Sequence, residues 1–268
     1  MRRFLFIVGL LVLLASSALA QSAVDARAAA LVDEMMKAMG GPEAWERARY
    51  LRFDWVVERE SQQVAYVRHL WDRYQGRYRV EWTTREGVKL AVLFNVNTRS
   101  GRVRVNGEPA RDEDEQKYLD QAYGRFINDS YWLLMPWKLK DPGVKLEYAG
   151  EAEVDGQKYD LLHVSFEQVG LTPGDNYWAY VSRRTHLMER WAYFLQGERE
   201  KQGVPSLEKA TPWEWRDWGD VGGGLRLARE KTRVGARIYF PLVKVLPSVE
   251  PGVFESFEVP FSIVDIGQ

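Results

Sequence analysis

From Tyr50 onward the hydrophobic pattern repeats every second residue, and that period restricts the chain more than any other feature. Leu51, Phe53, Trp55 and Val57 alternate with Arg52 and Asp54, and Tyr78, Val80 and Trp82 alternate with Arg79 and Glu81. Residues i and i+2 of an extended chain share a face, so each run predicts a strand with one dry and one wet side. Strands are predicted at Tyr50–Val57, Tyr66–Tyr74, Arg77–Thr84 and Val88–Val96, with turns at Gln75-Gly76 and Glu86-Gly87. Val103, Val105 and the Asn106-Gly107 turn signal extend this antiparallel meander.

Helical spacing brackets the meander. Val24, Ala28, Leu31, Val32, Met35 and Met39 make one apolar stripe, ended by Gly40-Gly41, and a short helix is predicted over Glu43–Arg49. Between Arg111 and Pro136, Leu119, Ala122, Tyr123, Phe126 and Ile127 form a second stripe. Asn128-Asp129-Ser130 reads as capping material, with a further apolar turn over Tyr131–Met135 that Pro136 stops. Strands resume at Leu146–Val154, Lys158–Phe166, Asn176–Val181 and Leu187–Leu195. A polar loop follows over Gly197–Thr211, then a strand pair at Trp213–Trp218 and Leu225–Val234. The tail from Ile238, with Pro241, Pro247, Pro251 and Pro260, is expected to wander over the surface and add edge strands. Helices are few and segregated, which predicts one α+β domain, residues 21–268, with a single large curved antiparallel sheet and a proline-rich tail over 236–268.

Residues 1–20 carry Arg2 and Arg3, an apolar run from Phe4 to Leu14 and the small residues of Ala18-Leu19-Ala20. That is the pattern of a secretory signal peptide, with cleavage expected at Ala20-Gln21 and a periplasmic or secreted soluble product. The chain has no cysteine, so it is not expected to be a lipoprotein, and thiol redox chemistry and thiolate zinc sites are excluded. A net charge of −1 with both signs interspersed argues against a nucleic-acid partner.

The pattern resembles the LolA/LolB/RseB-like superfamily of periplasmic proteins. The pieces that match are the first helix through Gly40-Gly41, the strand Tyr50–Val57, the segment from Trp71-Asp72 through Gly76–Glu81, and the helical insert 112–135. The most distinctive block spans 128–150, 154–166 and 170–196, and is similar to an uncharacterised secreted branch. The resemblance implies a half-open β-barrel with helices across its concave face, where the carriers of that family hold lipoprotein acyl chains. It implies no catalysis, no metal and no cofactor.

An apolar groove of this kind favours acyl chains, at roughly 0.8 kcal/mol per buried CH₂. The expected ligand-binding residues are Phe53, Trp55, Tyr78, Val80, Trp82, Leu90 and Phe94 on the sheet, and Trp132, Leu133, Met135 and Trp137 on a lid. Core packing explains the same residues equally well from sequence. Expected partners are lipoprotein acyl chains or another lipid, with an envelope protein as a further partner; the chain is expected to be a monomer without a transmembrane segment. Eleven tryptophans and thirteen tyrosines also admit a carbohydrate- or polymer-binding surface, or a structural protein whose groove is filled by its own side chains. His69, His163 and His186 lack metal-ligand spacing, and the Asp112–Glu115 run suits a helix N-terminus. Gly222-Gly223-Gly224 lacks phosphate-loop context, no GxSxG elbow is present, and no spacing pairs Asp175 with Asp217 as glycosidase carboxylates.

Overall fold

A computed structural model describes residues 26–265. The expected leader 1–20 and its expected cleavage point, Val24 of the first predicted helix and the last residues 266–268 lie outside the described residues.

Helix α1 covers residues 26–38, with Ala28, Val32 and Met35 wholly buried, as is Met39 just beyond its end. Gly40 ends it in a left-handed conformation (φ 111°), and a Cβ there would fall 2.2 Å from the carbonyl oxygen of Gly224, so only glycine fits. Helix α2 is Gly41–Arg47, two residues earlier than predicted, because Pro42 fits its first turn. The strands that follow are β1 (Tyr50–Arg59), β2 (Gln62–Asp72), β3 (Arg77–Thr83), β4 (Lys89–Asn95), β5 (Gly101–Val105) and the short β6 (Glu108–Pro109). Helix α3 then runs unbroken over Asp112–Lys138. After it come β7 (Val144–Val154), β8 (Gln157–Phe166), β9 (Asn176–Ser182), β10 (Met188–Phe194), α4 (Arg199–Gln202), β11 (Thr211–Asp220), β12 (Arg226–Arg233), β13 (Ala236–Tyr239) and β14 (Val243–Leu246). The class is α+β, with an unclosed antiparallel sheet of fourteen strands.

The chain forms two compact units. The larger holds residues 36–138 and 212–265. Its strands lie in the order β6-β5-β4-β3-β2-β1-β13-β12-β11, with β14 also paired to β1. The register shift at Val57/Glu58 in the β1–β2 pair is a bulge, a device that bends and twists a strand. Helix α3 packs on β4, β5 and β12 of this unit. The smaller unit holds residues 26–35 and 139–211, with strands in the order β10-β9-β8-β7. Leu161, Leu162, Val164, Trp178, Trp191 and Phe194 are buried in it, on both faces of these strands. The predicted hairpin at Asp155-Gly156 forms there, both residues taking positive φ.

Three local expectations are corrected. Helix α3 does not stop at Asn128-Asp129-Ser130, because the Asp129 carboxylate turns to a tertiary partner instead of capping the backbone, and it passes Pro136 to end at Lys138. The 197–211 segment contains α4 and single 3₁₀ turns at Gln196–Glu198 and Leu207–Lys209. The tail does not supply only edge strands: β13 lies between β1 and β12, since no proline falls within Ala236–Tyr239 to remove a ladder donor.

Candidate functional site

The register of β1 to β4 sets the predicted residues in three rows on one face of the larger unit's sheet. Leu51, Trp71, Tyr78 and Phe94 align across four strands, followed by Phe53, His69, Val80 and Val92, then Trp55, Val67, Trp82 and Leu90. All seven sheet residues expected from sequence therefore share one surface, and all are buried. Helix α3 lies against this inner face. Phe126 meets Trp71 and Tyr78 edge-on, with ring centres 5.0 and 5.1 Å apart. Further along α3, Trp132 packs edge-on to Trp213 at 4.9 Å, and Trp137 stacks on Trp45 of α2 at 4.9 Å. Leu133, Met135 and Trp137 are buried and Trp132 is half-buried.

A polar cluster sits inside this aromatic layer. His69 is wholly buried, with Phe53 stacked on its ring at 4.4 Å. Its Nδ1 lies 2.9 Å from the Tyr78 hydroxyl, and its Nε2 lies 3.3 Å from Oδ2 of Asp129, a wholly buried carboxylate on α3. Asn128 donates to Oδ1 of Asp129 at 2.7 Å, and Arg125 approaches Oδ2 at 3.8 Å. Burial lowers the His69 pKa from its ordinary 6.5 against the opposing pull of Asp129. Burial likewise drives the Tyr78 hydroxyl well above its ordinary 10.0. The cluster joins α3 to β2 and β3 by groups that water cannot reach.

The other face of the same strands is of a different kind. Arg52, Asp54, Tyr66, Arg68, Arg79 and Glu81 project there, and residues 249–265 cover part of it. Arg52, wholly buried, donates to Asp54 and to Asp265, the latter at 2.7 Å. Arg68 reaches the second oxygen of Asp265 at 2.7 Å. The Phe261 ring sits under the guanidinium groups of Arg52, Arg68 and Arg79 at 4.6, 4.4 and 5.1 Å. Beside this contact an open cavity of about 900 Å³ is lined by Tyr66, Arg68, Glu81, Lys89, Arg104 and Phe257 among others. Sequence reasoning singled out none of these as a site.

The path of the strands, the inserted helix and its seat on the sheet can be set beside known structures. A LolA superfamily protein from Nitrosomonas europaea superposes with a TM-score of 0.50 at 8% identity, over 87% of this chain and 99% of that one. The fold is LolA-like. A DUF1329 family protein from Desulfovibrio piger follows at a TM-score of 0.47 and 9% identity, with 87% and 99% of the two chains covered. A putative outer membrane lipoprotein-sorting protein domain from Vibrio parahaemolyticus gives 0.41 at 7% identity, with 83% and 97% covered. No protein-family model matches the sequence, and no curated protein matches it either.

Within this LolA-like fold, the remaining candidates are engaged locally. Asp112, Glu113, Asp114 and Glu115 form the first turn of α3, where negative charge suits the helix dipole. Asp175 accepts from the Gln196 backbone and from Thr172, and Asp217 is held by Arg229. His163 bonds Asn176 at 2.9 Å, and His186 stands 3.6 Å from Glu34. No three histidine, aspartate or glutamate side chains converge on a metal position among the described residues, and none of their helices is long and apolar enough to cross a membrane. Two groups that sequence reasoning missed, His69 and Asp129, are the polar centre of the inner face. Their one signal was a histidine placed between Val67 and Trp71 on an otherwise apolar stripe.

Proposed function

We propose that this chain is an exported, non-enzymatic carrier or sensor of a lipid-like ligand, held on the inner face of the larger unit once α3 moves aside. The observation that carries this reading is the composition of the α3 interface. Apart from the Asp129–His69 contact and the buried Ser130, it is made of aromatic, leucine, methionine and other apolar side chains from a single helix lying against a single sheet face. Methionine and aromatic surfaces repack around varied apolar guests, and a helix covering one face is a part that can swing as a unit. The eleven tryptophans also speak here. None is exposed, so no row of indoles faces solvent in the way a polymer-binding platform requires.

A second reading is favoured by the burial of ten of the eleven expected residues: native side chains fill the interior permanently and the protein acts through partners. One experiment separates the two. Delipidated mature protein is titrated with a brominated fatty acyl chain, which quenches tryptophan only on contact. A carrier shows saturable quenching that an unlabelled acyl chain reverses. Unchanged emission up to the solubility limit of the probe rejects the carrier reading and supports the filled interior.

A further inference from the structure

Lys231 lies on β12 with its side chain wholly buried. Its cross-strand neighbours are Trp215 and Ile238. Nζ donates to the Ala228 carbonyl at 2.6 Å and stands 4.3 and 4.4 Å from the ring centres of Trp215 and Phe240. Among the described residues no carboxylate forms an ion pair with it, and burial alone pushes its pKa well below the ordinary 10.5. Phe240 in turn lies 6.1 Å from Phe53, which stacks on His69. The amine therefore belongs to the same aromatic layer as the candidate site.

That layer has an excess of donors. The indole N–H groups of Trp55, Trp71, Trp137, Trp213 and Trp218 are buried without an acceptor from the protein, whereas among the described residues the one buried side-chain oxygen in the same condition, Oδ2 of Asp129, stands 3.3 Å from His69 Nε2. Buried polar groups are nearly always partnered, so a set of donors facing an apolar interior calls for oxygen acceptors from outside the chain. An ammonium without a counter-ion calls for an anion.

We propose that the interior of the larger unit receives an acyl-chain amphiphile carrying an oxyanion, with Lys231 as its counter-ion and neighbouring indoles as further donors. This rests on the carrier reading and narrows it from apolar chains in general to anionic ones. Pairing favours the charged form of Lys231 that burial opposes, so the two interactions act on the amine in opposite directions.

The test uses delipidated mature protein and two ligands of equal chain length, palmitate and hexadecanol, followed by calorimetry at pH 7.5. Palmitate is expected to bind about tenfold to hundredfold more tightly, the worth of a charge-assisted hydrogen bond. Lys231→Met should erase the preference while leaving hexadecanol binding in place. Lys231→Arg should keep the preference, because a guanidinium supplies the same charge. The wild-type comparison decides the matter even where a variant does not fold. Equal affinity for the two ligands overturns this proposal and leaves the carrier reading intact; binding of neither overturns both. In a parallel arm, dipalmitoyl phosphatidate is set against dipalmitoylglycerol. Preference confined to palmitate assigns the oxyanion to a free fatty acid, and preference confined to phosphatidate assigns it to a phospholipid head group.

Discussion

The two faces of strands β1 to β4 come from the same alternating sequence, yet they are buried by opposite means. The inner face carries rings and aliphatic chains and is covered by α3, with one histidine–aspartate contact among them. The outer face carries arginines and carboxylates and is covered by the tail, whose Phe261 and Asp265 complete the charge pairs. Apolar contacts are non-directional and reform after a guest enters. Buried ion pairs tolerate no such slack, because separating them leaves a charge out of water. The contrast assigns adaptability to the inner face and fixity to the outer one.

The contrast can be broken at several points. The largest effect is expected at Arg52. Its replacement by alanine leaves Asp54 buried without its cation, and urea unfolding should show a loss of about 3–5 kcal/mol. A loss near zero there would mean that the outer face is no more rigid than the inner. Leu133→Ala, on the buried side of α3, should cost about 2–4 kcal/mol and leave acyl binding measurable, since a cavity inside an adaptable layer can be refilled by a chain. A binding defect larger than the stability defect would instead make Leu133 a specific contact.

The pH dependence separates the faces next. His69 has a pKa lowered by burial, so the unfolded chain binds the proton better than the folded one. Its contribution is present above the ordinary 6.5 and is lost as pH falls below it. Asp72, at the outer end of β2, is raised by burial, but the hydrogen bonds from Arg49 and Arg77 outweigh this and leave its carboxyl below the ordinary 3.8. Its contribution is present above 3.8 and fades only as pH drops beneath that value. Denaturant midpoints between pH 7 and 3 should thus fall in two stages, and His69→Phe should flatten the earlier one. The smallest effect is expected for Asp265→Asn. Its carboxylate is partly solvated, so about 1 kcal/mol should be lost, with limited proteolysis of residues 249–265 as the local readout. Rapid cleavage of that segment at unchanged global stability would show that the ion pairs, and not Phe261, hold the tail.

Much of this was legible before coordinates. The period-two runs placed β1 to β4, and their alternation put Phe53, Trp55, Tyr78, Val80, Trp82, Leu90 and Phe94 on a common surface. What escaped was every feature that depends on pairing across long distances. His69 and Asp129 meet from elements sixty residues apart, and a capping trio is indistinguishable in sequence from a helix interior with a buried carboxylate. Lys231 in a strand reads as a wet-face residue, because alternation assigns charge to solvent and has no way to signal a buried amine. The tail's prolines suggested a surface path, but Val253, Phe254, Phe261 and Val264 are spaced irregularly in sequence and collect on Leu70 only in three dimensions.

The central claim is that the inner face is a place for a guest. Mass spectrometry of an organic extract, taken from the protein purified out of its native envelope without detergent exchange, tests it most directly. The account predicts an acyl-chain compound in near-stoichiometric amount, diminished when bulky substitutions at Val80 and Val92 fill the layer beneath α3. An extract free of acyl compounds, from protein that also fails to take one up after delipidation, would contradict it.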